Sequence, residues 1–336
     1  MLQVLKRRHA AMMMADAEPD SPETRPAHPT IGLALGSGVA RGWAQIGILR
    51  VLEREGIRPK VIAGTSVGAV VGGNWVAGTL DQLEIFARRL TRRSVFGLMD
   101  LSFTGSGLVG GRRLRDMLDE ALRDRTIEHL PTRFAAVTTE YGTGHEVWLT
   151  RGHLATAIRA SYAIPGIFEP VKVAGRWLID GALVNPIPVS TARAMGADLV
   201  IAVNLNADQI GRSTVIADHV AEPHNTEPAS AGTGLLQPVR GVAQAMSQYF
   251  SGKTAMPDGA PSIAAVMVDA INITQDRIAR SRLAGDPPDV TIAPRLGRIG
   301  LFEFHRADEA IAIGAEAAEK MLPEIREAFA VLSERR

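Results

Sequence analysis

The chain has 336 residues, with 37 Lys and Arg against 36 Asp and Glu and eight His, a formal charge of +1. That near-balance disfavours an electrostatically driven nucleic-acid binder, and 46% hydrophobic with 22% charged residues is the usage of an ordinary globular chain of one large domain or two modest ones. Cysteine is absent, which excludes a disulfide framework, a thiolate metal site and a cysteine nucleophile together.

Residues 1–29 hold Pro19, Pro22, Pro26 and Pro29 among Glu, Asp, Ser and Thr, and are expected to be a disordered tail. Apolar Met1 to Leu5 precede Lys6, Arg7 and Arg8, the reverse of a secretory leader, so a cytoplasmic location is expected. Ile31 to Leu35 is a short apolar run of a buried strand, closed by Gly36-Ser37-Gly38. Ile46, Leu49, Val51, Leu52 and Ile57 then recur near helical spacing. The pattern repeats, with Val61-Ile62-Ala63 as a strand, 64–68 as a turn and 69–77 as a helix. Strand, tight turn and helix twice in succession imply a βαβ crossover and a doubly wound α/β fold with a mostly parallel sheet. Val61 to Leu80 is uncharged over about the length of a bilayer span. However, Gly64, Gly68, Gly72, Gly73 and Gly78 with Thr65, Ser66, Asn74 and Thr79 favour a buried strand, turn and helix over a membrane helix.

Periodicity further predicts helices over 81–90 and 111–122, strands over 134–139 and 146–150, and a helix over 154–160. A hairpin over 171–179 turning at Ala174-Gly175 and a buried strand over 198–204 follow. From 206 to 262 the composition shifts to Gly, Pro, Ser, Thr, Ala and His, which suggests a mobile insertion or lid. Within it Leu235, Leu236, Val239, Val242, Met246, Tyr249 and Phe250 fit one face of a helix, either packed on the body or lying at an interface. A helix over 263–283, a strand over 289–293 and a helix over 307–332 complete the order. Residues 30–205 are thus expected as the catalytic domain and 263–336 as its completion.

Gly64-Thr65-Ser66-Val67-Gly68 matches G-x-S-x-G in the strand-to-helix context that gives the pattern meaning. Glycines suit a strained bend that presents the Ser66 hydroxyl at the carboxyl edge of the sheet, with the following helix aiming its amide dipoles at developing negative charge. Gly36-Ser37-Gly38-Val39-Ala40-Arg41-Gly42 opens the first helix, and fits either a pyrophosphate cradle or an oxyanion hole, both of which need exposed backbone N–H groups. For a nucleotide, Glu53 or Glu55 would stand in for the acidic ribose ligand, but the third glycine is displaced to Gly42. The neighbouring strand ends at the Ser66 elbow, which favours the oxyanion hole.

A serine nucleophile needs a base. Of the histidines, Phe304-His305-Arg306 is the best survivor, and a surface or helix-start role suits it better. Asp180 is the stronger candidate, directly after apolar Leu178-Ile179 and before Gly181-Ala182; Asp-Gly is also a favoured turn pair, but Asn185-Pro186-Ile187-Pro188 is no simple return strand.

The runs Gly36 to Gly42, Gly64 to Gly68, Ser161-Tyr162-Ala163-Ile164-Pro165-Gly166-Ile167-Phe168 and Asp180-Gly181-Ala182 resemble, in order, the motifs of the patatin-like phospholipase family over residues 31–205. The resemblance implies a Ser-Asp dyad acting on ester bonds of lipids; no cofactor or metal is expected. Ser66 would be the nucleophile and Asp180 the proton acceptor, with the backbone of Gly36, Ser37, Gly38 and Val67 as the oxyanion hole. Gln45 stands where many members have histidine, and Ser37 where they have a third consecutive glycine. The expected activity is hydrolysis of fatty-acyl esters of phospholipids or lysophospholipids; the alternative is a non-catalytic lipid-binding or regulatory protein on the same fold. Arg88, Arg89, Arg92 and Arg93 either complement a helix C-terminus or make peripheral contact with an anionic membrane. No metal-ligand spacing occurs.

Overall fold

The computed structural model describes residues 28–98, 112–208 and 263–335. The tail up to residue 27, and residues 209–262 of the expected insertion or lid with its Leu235 to Phe250 stripe, lie outside them. The sequence expectations otherwise fall on a sheet of eight strands: β1 (Ile31–Leu35), β2 (Val61–Thr65), β3 (Arg133–Glu140), β4 (Glu146–Leu149), β5 (Val171–Val173), β6 (Arg176–Asp180), β7 (Leu199–Val203) and β8 (Val290–Ile292). The helices are α1 (Ala44–Arg54), α2 (Val67–Val76), α3 (Leu80–Arg89), α4 (Arg92–Leu98), α5 (Arg112–Ala121), α6 (Leu154–Ser161), α7 (Val189–Ala194), α8 (Ile263–Gly285) and α9 (Ala307–Glu334), with short 3-10 turns at Val39–Trp43, Gly181–Leu183 and Phe304–Arg306 among them.

The path β5-β6-β3-β2-β1-β7-β8 is parallel from β3 to β8 and antiparallel where β6 meets β3 and β5, with β4 antiparallel to β3. The parallel half follows from uncharged strands buried on both faces. Leu33, Leu35 and Ile62 pack towards α1, α2 and α9, whereas Ala34, Val61 and Ala63 pack towards α7 and α8. α1 and α9 cross at small residues: a Cβ on Gly47 would lie 2.0 Å from the Ile311 carbonyl oxygen, and one on Gly314 would lie 1.9 Å from that of Ala44.

Strand β3 is the template for the functional edge. Ala136 pairs with Gly64 of β2 and Leu149 of β4, while Thr138 pairs with Val147 of β4 and Asp180 of β6. β4 therefore occupies one side of β3, and β2 and β6 meet end to end along the other. Thr65 stands opposite Val137 and Asp180 opposite Thr138, so the residue after Thr65 is delivered to Asp180. The expected five-residue turn is tighter than the sequence suggested. Gly64 and Thr65 stay in the ladder and α2 starts at Val67, leaving Ser66 alone at the bend.

Candidate active site

Ser66 adopts φ 56° and ψ −121°, a backbone region that L side chains rarely enter and that persists only where the surroundings enforce it. Its neighbours explain how. A Cβ on Gly68 would lie 2.1 Å from the Leu35 carbonyl oxygen, and one on Gly64 would lie 2.6 Å from the Ala69 backbone nitrogen, so β1, the elbow and the start of α2 approach at glycine distance. Gly42 admits the side chain of Val67, whose Cγ2 would lie 2.1 Å from an added Cβ. Gly181 lies against the Val137 carbonyl oxygen, 2.2 Å from its own added Cβ, which seats the turn after Asp180 on β3.

At this bend the Ser66 Oγ donates a hydrogen bond to Asp180 Oδ2 at 2.7 Å, and the Ala182 N–H donates to Oδ1 at 2.8 Å. Both side chains are buried, at 4% and 2% relative exposure. Burial of the Asp180 carboxyl raises its pKa to about 7, against the smaller downward pull of the Ala182 N–H and the Ser66 hydroxyl. The carboxyl is thus poised to gain and lose a proton near neutral pH. Its backbone is clamped twice, by its own N–H to the Ala163 carbonyl at 3.0 Å and by Thr139 Oγ1 donating to its carbonyl at 2.8 Å.

The elbow is held by residues whose part was not visible from the sequence. The Ser66 N–H donates to Ser161 Oγ at 2.9 Å, and Ser161 Oγ donates in turn to the Val137 carbonyl at 2.6 Å. Thr65 Oγ1 donates to the Asn185 carbonyl at 2.8 Å, and Asn185 Nδ2 donates to Glu146 Oε1 at 2.7 Å. Ser161 lay within a quoted motif, but only the fold brings its hydroxyl under the elbow.

The glycine-rich turn divides the expected oxyanion donors into two sets. The Gly36 N–H is engaged by the Val203 carbonyl at 3.2 Å and the Ser37 N–H by that of Pro186 at 2.9 Å. The N–H groups of Gly38, Val39 and Val67 have no partner among the described residues. Val39, a β-branched residue at φ 51°, marks further strain in this turn. Gln45 is fully buried and donates from Nε2 to the Gly36 carbonyl at 2.7 Å, so it braces the turn. Arg41 ties the same turn to the C-terminal part of the chain, donating from Nε to the Ile299 carbonyl at 2.9 Å and from Nη1 to Asn206 Oδ1 at 3.0 Å.

Beside Ser66 an apolar cavity of about 110 Å³ is walled by Val67, Val70, Phe86, Leu90, Phe168 and Phe304 among others. Tyr162 completes that wall in a T-shaped contact with Phe168, ring centroids 5.2 Å apart, and burial holds its phenol well above the ordinary range. His305 accepts from Arg92 Nε at 3.2 Å and bonds neither Ser66 nor Asp180. Burial, then the Arg92 cation, keeps its imidazole below its usual range. Arg88 pairs with Glu84 and Asp308, while Arg89, Arg92 and Arg93 have no acidic partner among the described residues. Among those residues no group of His, Asp or Glu is arranged to hold a metal, and no helix is long and apolar enough to cross a membrane.

Comparison with known proteins identifies relatives of the chain. A family profile, "Patatin-like phospholipase", matches residues 33–193. An uncharacterized NTE family protein of Mycobacterium tuberculosis (strain H37Rv) is 35% identical over 329 residues, covering 88% of this chain and 91% of that protein. Patatin-like phospholipase domain-containing protein 7 of Rattus norvegicus is 33% identical over 183 residues, 53% of this chain and 14% of that protein. Among solved structures, VipD from Legionella pneumophila aligns over 89% of this chain and 67% of that one, at 12% identity and a TM-score of 0.45, too low to bear on the fold. By the extent and level of the mycobacterial match and the patatin-like profile over its central strands and elbow, the chain belongs to the NTE family of patatin-like proteins.

Proposed function

We propose that the protein is a serine acyl hydrolase that cleaves fatty-acyl esters of phospholipids or lysophospholipids through a Ser66–Asp180 dyad. The observation that carries this reading is the 2.7 Å bond from Ser66 Oγ to Asp180 Oδ2 at a strained strand-to-helix elbow. In the acylation step Ser66 Oγ attacks the ester carbonyl as Asp180 takes its proton, and the alcohol leaves with that proton. The unengaged N–H groups of Gly38 and Val67 suit the developing oxyanion, and the dipole of α2 reinforces them. Asp180 then takes a proton from water as that water attacks the acyl-enzyme carbonyl, the acyl–Oγ bond breaks to release the fatty acid, and Asp180 returns the proton to Ser66 Oγ. The apolar cavity supports an acyl chain, because nearly every lining side chain offers only hydrocarbon or aromatic surface. Arg89, Arg92 and Arg93, which have no acidic partner among the described residues, favour a peripheral approach to anionic lipid.

Ser66→Ala and Asp180→Asn should each lower hydrolysis of lysophospholipid by on the order of 10³-fold or more while leaving the folded protein intact. Release of free fatty acid, read beside a thermal melt, checks this. Undiminished release by a folded variant would exclude that residue from the mechanism.

A further inference from the structure

A second apolar feature shares Phe168 with the Ser66 cavity. Phe168 walls both that cavity and a surface groove of about 450 Å³ lined by Tyr141, Pro165, Trp177 and Ile179. Ile179 immediately precedes Asp180, so the groove touches the dyad's own strand. Strand pairing explains why its aromatics cluster. The Tyr141 N–H donates to the Trp177 carbonyl at 2.8 Å, making the two residues cross-strand neighbours on one face. Trp148 stands opposite Val137, four residues before Tyr141 on β3, and so shares that face.

Tyr141 is 66% exposed, Trp177 50% and Trp148 39%, a concentration of large rings that folding alone does not account for. Lys172 lies opposite Trp177, its Nζ 5.6 Å from the ring centroid, and has no acidic partner among the described residues. Arg176, beside it on the hairpin, pairs with Glu140 at 3.7 Å.

Exposed Trp and Tyr, each with an apolar body and a polar tip, with an uncompensated Lys beside them, match the headgroup zone of a bilayer. We propose that the Tyr141–Trp177 face, with Lys172, seats the protein in the interfacial zone of a phospholipid membrane and presents lipid to the Ser66 cavity past Phe168. The inference rests on the lipid-ester reading of the site and adds the surface through which substrate arrives. Lys172 supplies the charge complementarity, towards lipid phosphate, and Phe168, which lines both the groove and the cavity, makes the two neighbours.

The test uses the full chain carrying Ser66→Ala, so that vesicles are not consumed, and measures co-sedimentation with phosphatidylcholine–phosphatidylglycerol vesicles. Adding Tyr141→Ala and Trp177→Ala should weaken partition by about tenfold or more, from the aromatic area withdrawn from the interface. With Ser66 restored, the same two changes should leave hydrolysis of a short water-soluble ester unchanged and slow that of vesicle-borne lipid. Lys172→Glu, which leaves the aromatic face in place, should weaken binding to the anionic vesicles. Unchanged partition in the Tyr141/Trp177 variant, or loss of self-association in place of vesicle binding, overturns the proposal. Absence of soluble-ester hydrolysis in the unsubstituted protein overturns the enzyme reading instead, since partition is read without turnover.

Discussion

Ser66 is a serine in backbone geometry that favours glycine, and Asp180 is a carboxyl with almost no contact with water; each is tolerable because of the other and of the amides around them. The raised pKa of Asp180, about 7, fixes the sign of the pH dependence. A general base works only when ionised, so kcat/KM on a soluble ester should climb from acid to neutral pH with a midpoint near that value and level off above it. A profile already flat from pH 5 upward would show that Asp180 ionises well below that value. Ser161 acts one step back. Ser161→Ala leaves the buried Ser66 N–H without its acceptor, and should cost about 1–3 kcal/mol in chemical denaturation with slower ester turnover beside it. Stability and turnover equal to those of the unsubstituted protein would show that the clamp is dispensable.

Among the elements, the parts legible from sequence were those with strong local signals. The uncharged runs of β1, β2 and β7 and the Ala174-Gly175 hairpin stand where apolar patterning and turn chemistry put them. Ser66 and Asp180 were legible as residues because each sits at a strand end before a glycine or a helix start. What local pattern does not carry is the edge that β2 and β6 share on β3, since that pairing joins segments more than a hundred residues apart. For the same reason the part of Ser161, and the loss of the Gly36 and Ser37 amides to the Val203 and Pro186 carbonyls, emerge only from the fold. The α1–α9 crossing is equally non-local. Gly314→Ala forces a methyl group onto the Ala44 carbonyl and should destabilise the protein by about 1–3 kcal/mol or more, read as a shift of the denaturation midpoint. An unshifted midpoint would mean that the two helices separate freely.

At the scale of the whole molecule, the parallel half of the sheet is a rigid frame, with α1, α2 and α9 on one face and α7 and α8 on the other. The antiparallel half brings Asp180 to the elbow and carries the exposed aromatic hairpin. The Ser66–Asp180 pair, the apolar cavity and the aromatic face lie close to β6 and Phe168, which suits the proposed transfer of a lipid from a surface to Ser66. All of this depends on Ser66 being activated by Asp180. The most direct test is labelling of the full chain with a fluorophosphonate, mapped by intact mass and peptide sequencing, beside Ser66→Ala and Asp180→Ala. One adduct, on Ser66, absent from the first variant and slowed in the second, is the predicted result. A folded protein that takes no adduct, or takes it elsewhere, would contradict the account.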